Sequence, residues 1–279
     1  MELQLLSVPY DAGVPDVRMG LGPRRLLDAG LESHLTQAGH QVHSEVLNVP
    51  RDQLTPEPRF AFELAELLAD RVREAEARGR FPLILAGTCY SSIGTIAGLG
   101  SVGVGVLWFD CHADFNTPDS TVTGFLDGMP VAILTGHCWR ELANSVPGFQ
   151  PVPEENVFLL GVRDVDRPES ARLEASRIRC LTPQRVRSAL RSELAALRDR
   201  VEDVYLHLDL DVLDPSEGRA NALAAPDGLT LSALREAVRL IAELFRVRAV
   251  AVSAYDPSFD EGGSVCRAAF DLLDTVVGG

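Results

Sequence analysis

Two short acidic runs carry most of the chemistry available to this chain. Asp110-Cys111-His112-Ala113-Asp114 follows the apolar stretch Val102 to Phe109, and Asp209-Leu210-Asp211, with Asp214-Pro215 just behind, follows Val204 to Leu208. Carboxylates and one imidazole at the ends of buried strands form a donor set for divalent ions. Hard oxygens with one nitrogen suit Mn, Mg or Zn, and several carboxylates together suit two ions better than one. In an extended segment alternate residues share a face, so the spacing predicts that Asp110, His112 and Asp114 point one way, as do Asp209 and Asp211. Any one of these acids is most simply a solvated loop residue; two such clusters at two strand ends are harder to dismiss.

The elements that must position them alternate between strand and helix. An opening strand, Met1 to Pro9, leads through a Gly- and Pro-rich loop, Asp11 to Pro23, into a helical pattern from Arg24 to Ala38. A second strand is predicted over Gln41 to Asn48. Phe60, Leu64, Leu67 and Leu68 recur at helical spacing and end at Ala77-Arg78-Gly79. Pro82 to Ala86 reads as a short strand running into Gly87-Thr88-Cys89-Tyr90, then a helix to Leu99. Val157 to Gly161 is a strand that delivers Arg163 and Asp164. Pro183 to Leu197 is helical, Leu231, Leu234, Val238, Ile241 and Phe245 form a helical stripe, and Arg248 to Ser253 is a strand. Continuous apolar strands between amphipathic helices predict an α/β fold, a mostly parallel sheet covered on both faces, within one domain spanning 1–279. Ligands of such sheets gather at the carboxyl ends of the strands, where both acidic runs lie.

Composition narrows the partners. A formal charge of −14 lacks the clustered Lys and Arg of a nucleic-acid footprint and would attract cations, whether metal ions or a positively charged substrate. The five cysteines are odd in number, scattered, and in no CxxC pair, which points to a reducing compartment, the cytoplasm. No run approaches the roughly 18 apolar residues of a membrane span. The first residues carry Glu2 and Gln4 without a basic leader and read as a strand rather than a signal peptide.

The motifs extend beyond the two runs. Asp110 to Asp114 looks like D-A-H-x-D, and Asp209 to Pro215 matches D-x-D-x-x-D-P. Gly20 to Pro23 (resembling G-x-x-x-G-P) precedes them, Asn116-Thr117-Pro118 and Gly161 to Asp166 (G-x-R-D-V-D) lie between them, and Gly228-Leu229-Thr230 (resembling G-G-L-T) follows. Together they resemble the arginase and agmatinase family, the ureohydrolases, over nearly the whole chain. The resemblance implies a three-layer α/β/α domain, a homo-oligomer, and paired metal ions, usually manganese, that generate a hydroxide to attack a guanidinium carbon. It assigns Asp110 and Asp209 as bridging ligands, His112 and Asp211 as completing one ion's shell, and Asp114 as ligand of the other and partner of the attacking hydroxide. Asn116, Thr123 and Asp166 stand where arginases hold the amino-acid end of the substrate.

Other positions depart from the family pattern. G-G-D-H-S appears as Ala86-Gly87-Thr88-Cys89-Tyr90, so the ligand histidine is Cys89. A thiolate there would favour zinc over manganese; a small buried residue with no metal contact is the other reading. S-G-N-x-H-G appears as Thr123 to Gly128, with Phe125 replacing a carboxylate-binding asparagine and Asp127 replacing the proton-transfer histidine. Asp127 is either a general acid with a raised pKa or a helix cap before Met129. Ala254 stands at the guanidinium-pairing glutamate, with Asp256 two residues on as a possible substitute, and Ala222-Leu223-Ala224 replaces a Gly-Thr-Pro wall.

Two function classes follow. One is a metal-dependent hydrolase of a linear amidine or guanidine, different from an ordinary arginase, supported by the retained carboxylates and His112. The other is a catalytically silent family member that binds metal or ligand in a structural or regulatory role, supported by the simultaneous loss of the ligand histidine at Cys89, the proton-transfer histidine at Asp127 and the guanidinium-pairing glutamate at Ala254. Cys89 as a covalent nucleophile is a third and weaker idea, because His112 would have to serve as its base rather than as a ligand.

Overall fold

The computed structural model describes residues 1–49 and 55–278. Its strands are β1 (Glu2–Val8), β2 (Tyr10–Asp11), β3 (Val14–Pro15), β4 (Gln41–Val46), β5 (Phe81–Ala86), β6 (Val104–Phe109), β7 (Val157–Leu160), β8 (Arg179–Leu181), β9 (Asp203–Asp209) and β10 (Arg246–Ser253). Eight of them form one sheet in the order β4-β1-β5-β10-β9-β6-β7-β8, and every neighbouring pair is parallel. β2 and β3 make a separate small hairpin.

Period-two alternation sorts each strand between two cores. Val106 and Trp108 of β6 and Tyr205 of β9 face one apolar cluster, which the helices Glu57–Ala77 and Ser91–Leu99 cover. Leu107, Phe109, Leu206 and Leu208 face the other, under the helices Leu31–Gln37, Pro183–Arg198, Leu231–Leu244 and Ser264–Val277. The result is the expected three-layer α/β/α arrangement. The chain builds outward to β4 and to β8, then returns to lay β9 and β10 in the middle. The four central strands, β5, β10, β9 and β6, therefore end side by side where the connections diverge, and such a crevice is where open α/β sheets bind ligands.

Local readings differ in instructive places. The helical pattern over Arg24 to Ala38 is two helices, Leu21–Asp28 and Leu31–Gln37, because Gly30 adopts φ 93° and turns the chain between them. Strand β6 starts at Val104; Val102 is 78% exposed and lies before it. Phe245 ends the stripe as a cap residue outside the Leu231–Leu244 helix. The edge strand β8 and the C-terminal helix Ser264–Val277 were not assigned from the sequence.

Candidate metal centre and substrate pocket

The carboxyl ends of β5, β9, β6 and β10 surround a cavity of about 560 Å³. Of the residues singled out in the sequence, Cys89, His112, Asp114, Asn116, Thr123, Asp127, Asp166, Asp209, Asp211 and Asp256 all line it. Asp110 lies beneath, 1% exposed.

The floor is not reached by simple alternation. β6 ends at Phe109, and Asp114 comes into the cavity through left-handed backbone, φ 48°, rather than by extending the strand. Asp211 sits in a short 3-10 turn, Leu210–Val212, whose amide donates to Asp209 Oδ1 at 2.8 Å. The sequence expectation of shared faces is corrected accordingly: turns, not pleats, bring Asp114 and Asp211 inward. A close approach at Gly87 lets β5 deliver Cys89, since a Cβ there would lie 2.2 Å from the Tyr10 carbonyl oxygen.

Two donor groups result. Ligand-capable atoms of Asp110, Cys111, His112 and Asp211 lie within 4.8 Å of one another, as do those of Cys89, Asp110 and Asp209. Asp110, common to both, accepts from Trp108 Nε1 at 3.0 Å and from the His112 amide at 2.7 Å. Asp211 accepts from the Cys111 amide at 3.2 Å and from Asn221 Nδ2 at 3.2 Å. His112 Nδ1 lies 3.2 Å from Asp110 and 3.5 Å from Asp211. The Cys89 thiol donates to Asp209 Oδ2 at 3.1 Å and lies 3.3 Å from Ser253 Oγ.

Burial sets the electrostatics. It pushes His112 down, but Asp211 and Asp110 outweigh it and raise the imidazole to about 10. Burial also pushes Asp211 up, yet His112 and its hydrogen-bond donors hold it below the usual carboxylate range. Asp209 is driven well above that range by burial and then by Asp211 and Asp110; Asp114 by burial and then by Asp110 and Asp127. Several acids that resist ionising beside one another form a site that a cation would complete, and the mixed O, N and S donors fit divalent ions of the manganese-to-zinc series.

Asp127 is 7% exposed and its carboxylate accepts from the Tyr90 amide at 3.0 Å. It therefore caps the Ser91–Leu99 helix from another segment, instead of the Met129 end expected from its position in sequence. Burial drives its pKa well above the usual range, against the Tyr90 and Cys89 amides. At the mouth, Thr123 is exposed and its Oγ1 accepts from the Phe125 amide at 3.1 Å, Asp166 is exposed, and Asp256 accepts from the Ser258 amide at 3.0 Å. Arg163 points away from the cavity floor and binds backbone carbonyls, including those of Asp211 at 2.9 Å and Ala225 at 2.8 Å, which pins the loop behind the second acidic run.

Sequence reading missed several supports. Asn221 bridges Asp211 and the Ala254 carbonyl, the latter at 2.8 Å, and Asp11, Arg18 and Glu169 also line the cavity. Burial raises Glu169 to about 7. Beneath the floor His207 stacks on Trp108, centroids 3.6 Å apart, and bridges Tyr205 at 2.8 Å and Ser253 at 3.0 Å. Burial lowers its pKa to about 3, so it is a neutral bridge. The alternation Tyr205, His207, Asp209 in β9 places all three on one face and was the available signal.

The family model for the arginase family matches residues 1–278. The chain is 28% identical to the arginase of Bacillus caldovelox over 293 residues, covering 99% of this chain and 98% of the relative. The solved Bacillus caldovelox arginase superposes with a TM-score of 0.89 at 27% identity, covering 100% of this chain and 98% of that one. The agmatine ureohydrolase of Thermoplasma volcanium shares the fold at a TM-score of 0.74 and 17% identity, over 99% of this chain and 88% of that one. The chain belongs to the arginase family.

Proposed function

We propose that the protein is a divalent-metal-dependent hydrolase that cleaves a C–N bond of a linear guanidine or amidine, with a reaction end altered from that of an ordinary arginase. The observation that carries this is the floor of the cavity, where ligand-capable atoms of Cys89, Asp110, His112, Asp209 and Asp211, all buried but the half-buried His112, cluster past the ends of three of the four central strands, β5, β9 and β6. Asp110, His112, Asp209 and Asp211 would hold the ions, with Asp114 and Cys89 completing the second position. Bound there, divalent ions would lower the pKa of a coordinated water towards 7, as attack on a resonance-stabilised guanidinium carbon requires. Manganese is the metal that the family resemblance implies, and Cys89 shifts the expectation towards zinc.

Asp127, whose pKa burial pushes upward, would donate a proton to a leaving amine, the work of a general acid. Asn116 and Asp166, which line the cavity, would hold a polar, amino-acid-like end of the substrate. Phe125 adds apolar surface beside them, and Ala254 offers no carboxylate to the guanidinium. Losing that charge-assisted contact is worth about 1.5–3 kcal/mol, roughly a tenfold to hundredfold in rate. All five cysteines are unpaired, which supports a reducing compartment, and we place the protein in the cytoplasm as a homo-oligomer.

The silent reading draws on one observation: Cys89 pairs with Asp209 and His112 with Asp110, so protein groups alone close the floor. Urea release from arginine and agmatine, with Mn or Zn supplied, tests the proposal. Arginine turnover is expected at trace level, with a less basic amidine or one with a better leaving group turned over faster. Ordinary arginase turnover would show that the reaction end is unaltered, and no hydrolysis of any amidine or guanidine would favour the silent reading.

A further inference from the structure

Nine acids line the cavity, and Arg18 is the one lysine or arginine among its described lining residues. Arg18 follows a hairpin in which β2 and β3 pair Tyr10 with Pro15 and Asp11 with Val14. Backbone strain concentrates here: Ala12, Asp16 and Arg18 have φ of 47°, 54° and 45°, a left-handed region that non-glycine residues rarely occupy. Such strain persists where surrounding structure over-determines it, and it clusters at ligand clamps.

Here the surroundings do so. The Gly13 amide donates to Tyr90 Oη at 3.4 Å, and Gly20 packs so closely on the hairpin that a Cβ would lie 3.1 Å from the Asp11 nitrogen. Asp11, 1% exposed, grips the guanidinium through Nε at 2.9 Å and Nη2 at 2.6 Å. That grip takes one edge of the fork and fixes its plane. The Arg18 side chain is nonetheless 62% exposed and lines the cavity, and its bonds to Asp11 use Nε and Nη2, which leaves the Nη1 donors out of that grip.

A fixed cation is a poor wall for a pocket whose only task is to bind a cation. It suits a substrate that is cationic at the floor and anionic at the mouth. We propose that Arg18 is the carboxylate-recognising, specificity-determining residue of this pocket, and that its ligands are guanidino or amidino acids rather than the corresponding amines. The inference rests on the hydrolase reading above and deepens it. Phe125, where the family resemblance places a carboxylate-binding asparagine, leaves that contact to be made elsewhere. A planar guanidinium fork is matched to a carboxylate.

The test compares L-arginine with agmatine, which share a guanidinium and differ in the carboxylate, by isothermal titration against the metal-loaded protein and its Arg18→Gln and Arg18→Lys variants. The wild type is expected to prefer arginine by roughly tenfold to a hundredfold, the weight of one charge-assisted hydrogen bond. Arg18→Gln should weaken arginine by that factor and leave agmatine unchanged, while Arg18→Lys, which keeps a charge opposite Asp11, should retain part of the preference. Equal loss for both ligands would show that Arg18 serves only to neutralise Asp11, and overturns the proposal. So does a wild type that binds both without preference, which leaves the hydrolase reading standing. Binding of neither would remove the guanidine reading and the role of Arg18 with it.

Discussion

Asp211 sits among the His112 imidazole, the Cys111 amide and the Asn221 side-chain amide, and these hold it below the usual carboxylate range although burial pushes it up. Asp209 and Asp114 belong to the same floor but are driven well above that range, first by burial and then by the acids beside them. Around His112 the protein has supplied its own counter-charge; around Cys89 it has supplied a thiol that is itself harder to ionise, through burial and then Asp209. The difference teaches where a cation has most to offer. An ion at the Cys89 side relieves repulsion that only the Cys89 thiol and the Asp211 amide, neither of them charged, offset, while an ion at the His112 side must displace an existing ion pair.

Substitutions can break this contrast. The largest effect is expected at Asp127, on the Cys89 side. Asp127→Asn keeps an oxygen to accept from the Tyr90 amide, so the helix cap survives while the transferable proton is lost. Steady-state kinetics on whichever amidine or guanidine is turned over should show kcat down by roughly 10²–10⁴-fold with metal content unchanged; a rate within a factor of three would remove Asp127 from the chemistry.

Next comes Asp209, one of the two carboxylates assigned to both ions. Asp209→Asn should reduce divalent-metal affinity beyond the roughly 10–100-fold cost of losing an outer-shell partner, and beyond the loss from Asp114→Asn. Titration of chelated protein with Mn and Zn measures this. If Asp114→Asn proves the more damaging, Asp209 does not bridge.

Cys89→His should move metal preference from Zn towards Mn by about tenfold, because a borderline nitrogen replaces a soft sulfur. In the unaltered chain, metal should shield Cys89 from alkylation. Equal labelling with and without metal would assign the sulfur to packing alone.

The smallest effect is on stability against pH. Acids whose folded pKa is raised bind protons more tightly folded than unfolded, so stability is full below the unfolded carboxylate pKa and falls as pH rises towards the folded value. Chelated protein should therefore lose melting temperature from about pH 4 upward, where unfolded carboxylates begin to ionise. The increment on adding Zn or Mn should grow from pH 5 to pH 8. A metal increment that shrinks with pH would contradict the raised acids at Asp209 and Asp114.

Strands such as β6 and β9 were legible because six consecutive buried residues in each leave a mostly apolar run that composition cannot hide. β8 was not, since two of its three residues are exposed and its pairing with β7 is tertiary. The helix Ser264–Val277 did carry a signal, with Val265, Ala269, Leu272 and Val277 buried on one side. At the site, motif spacing located the acids because both runs sit directly after strands. Spacing could not locate Asn221, Asp11 or Arg18, whose contacts cross from other loops and exist only after folding. It also misdirected Asp127, whose nearest helix in sequence is not the one it caps.

The central claim is that this floor holds divalent ions between unlike halves. It is tested most directly by metal analysis of protein purified without chelators, with stoichiometry per chain, repeated on Cys89→Ala. Two ions per chain, falling to one in Cys89→Ala while the His112 side stays loaded, is the predicted result. No bound metal in the unaltered protein, with no uptake of Mn or Zn at millimolar concentration, would contradict it.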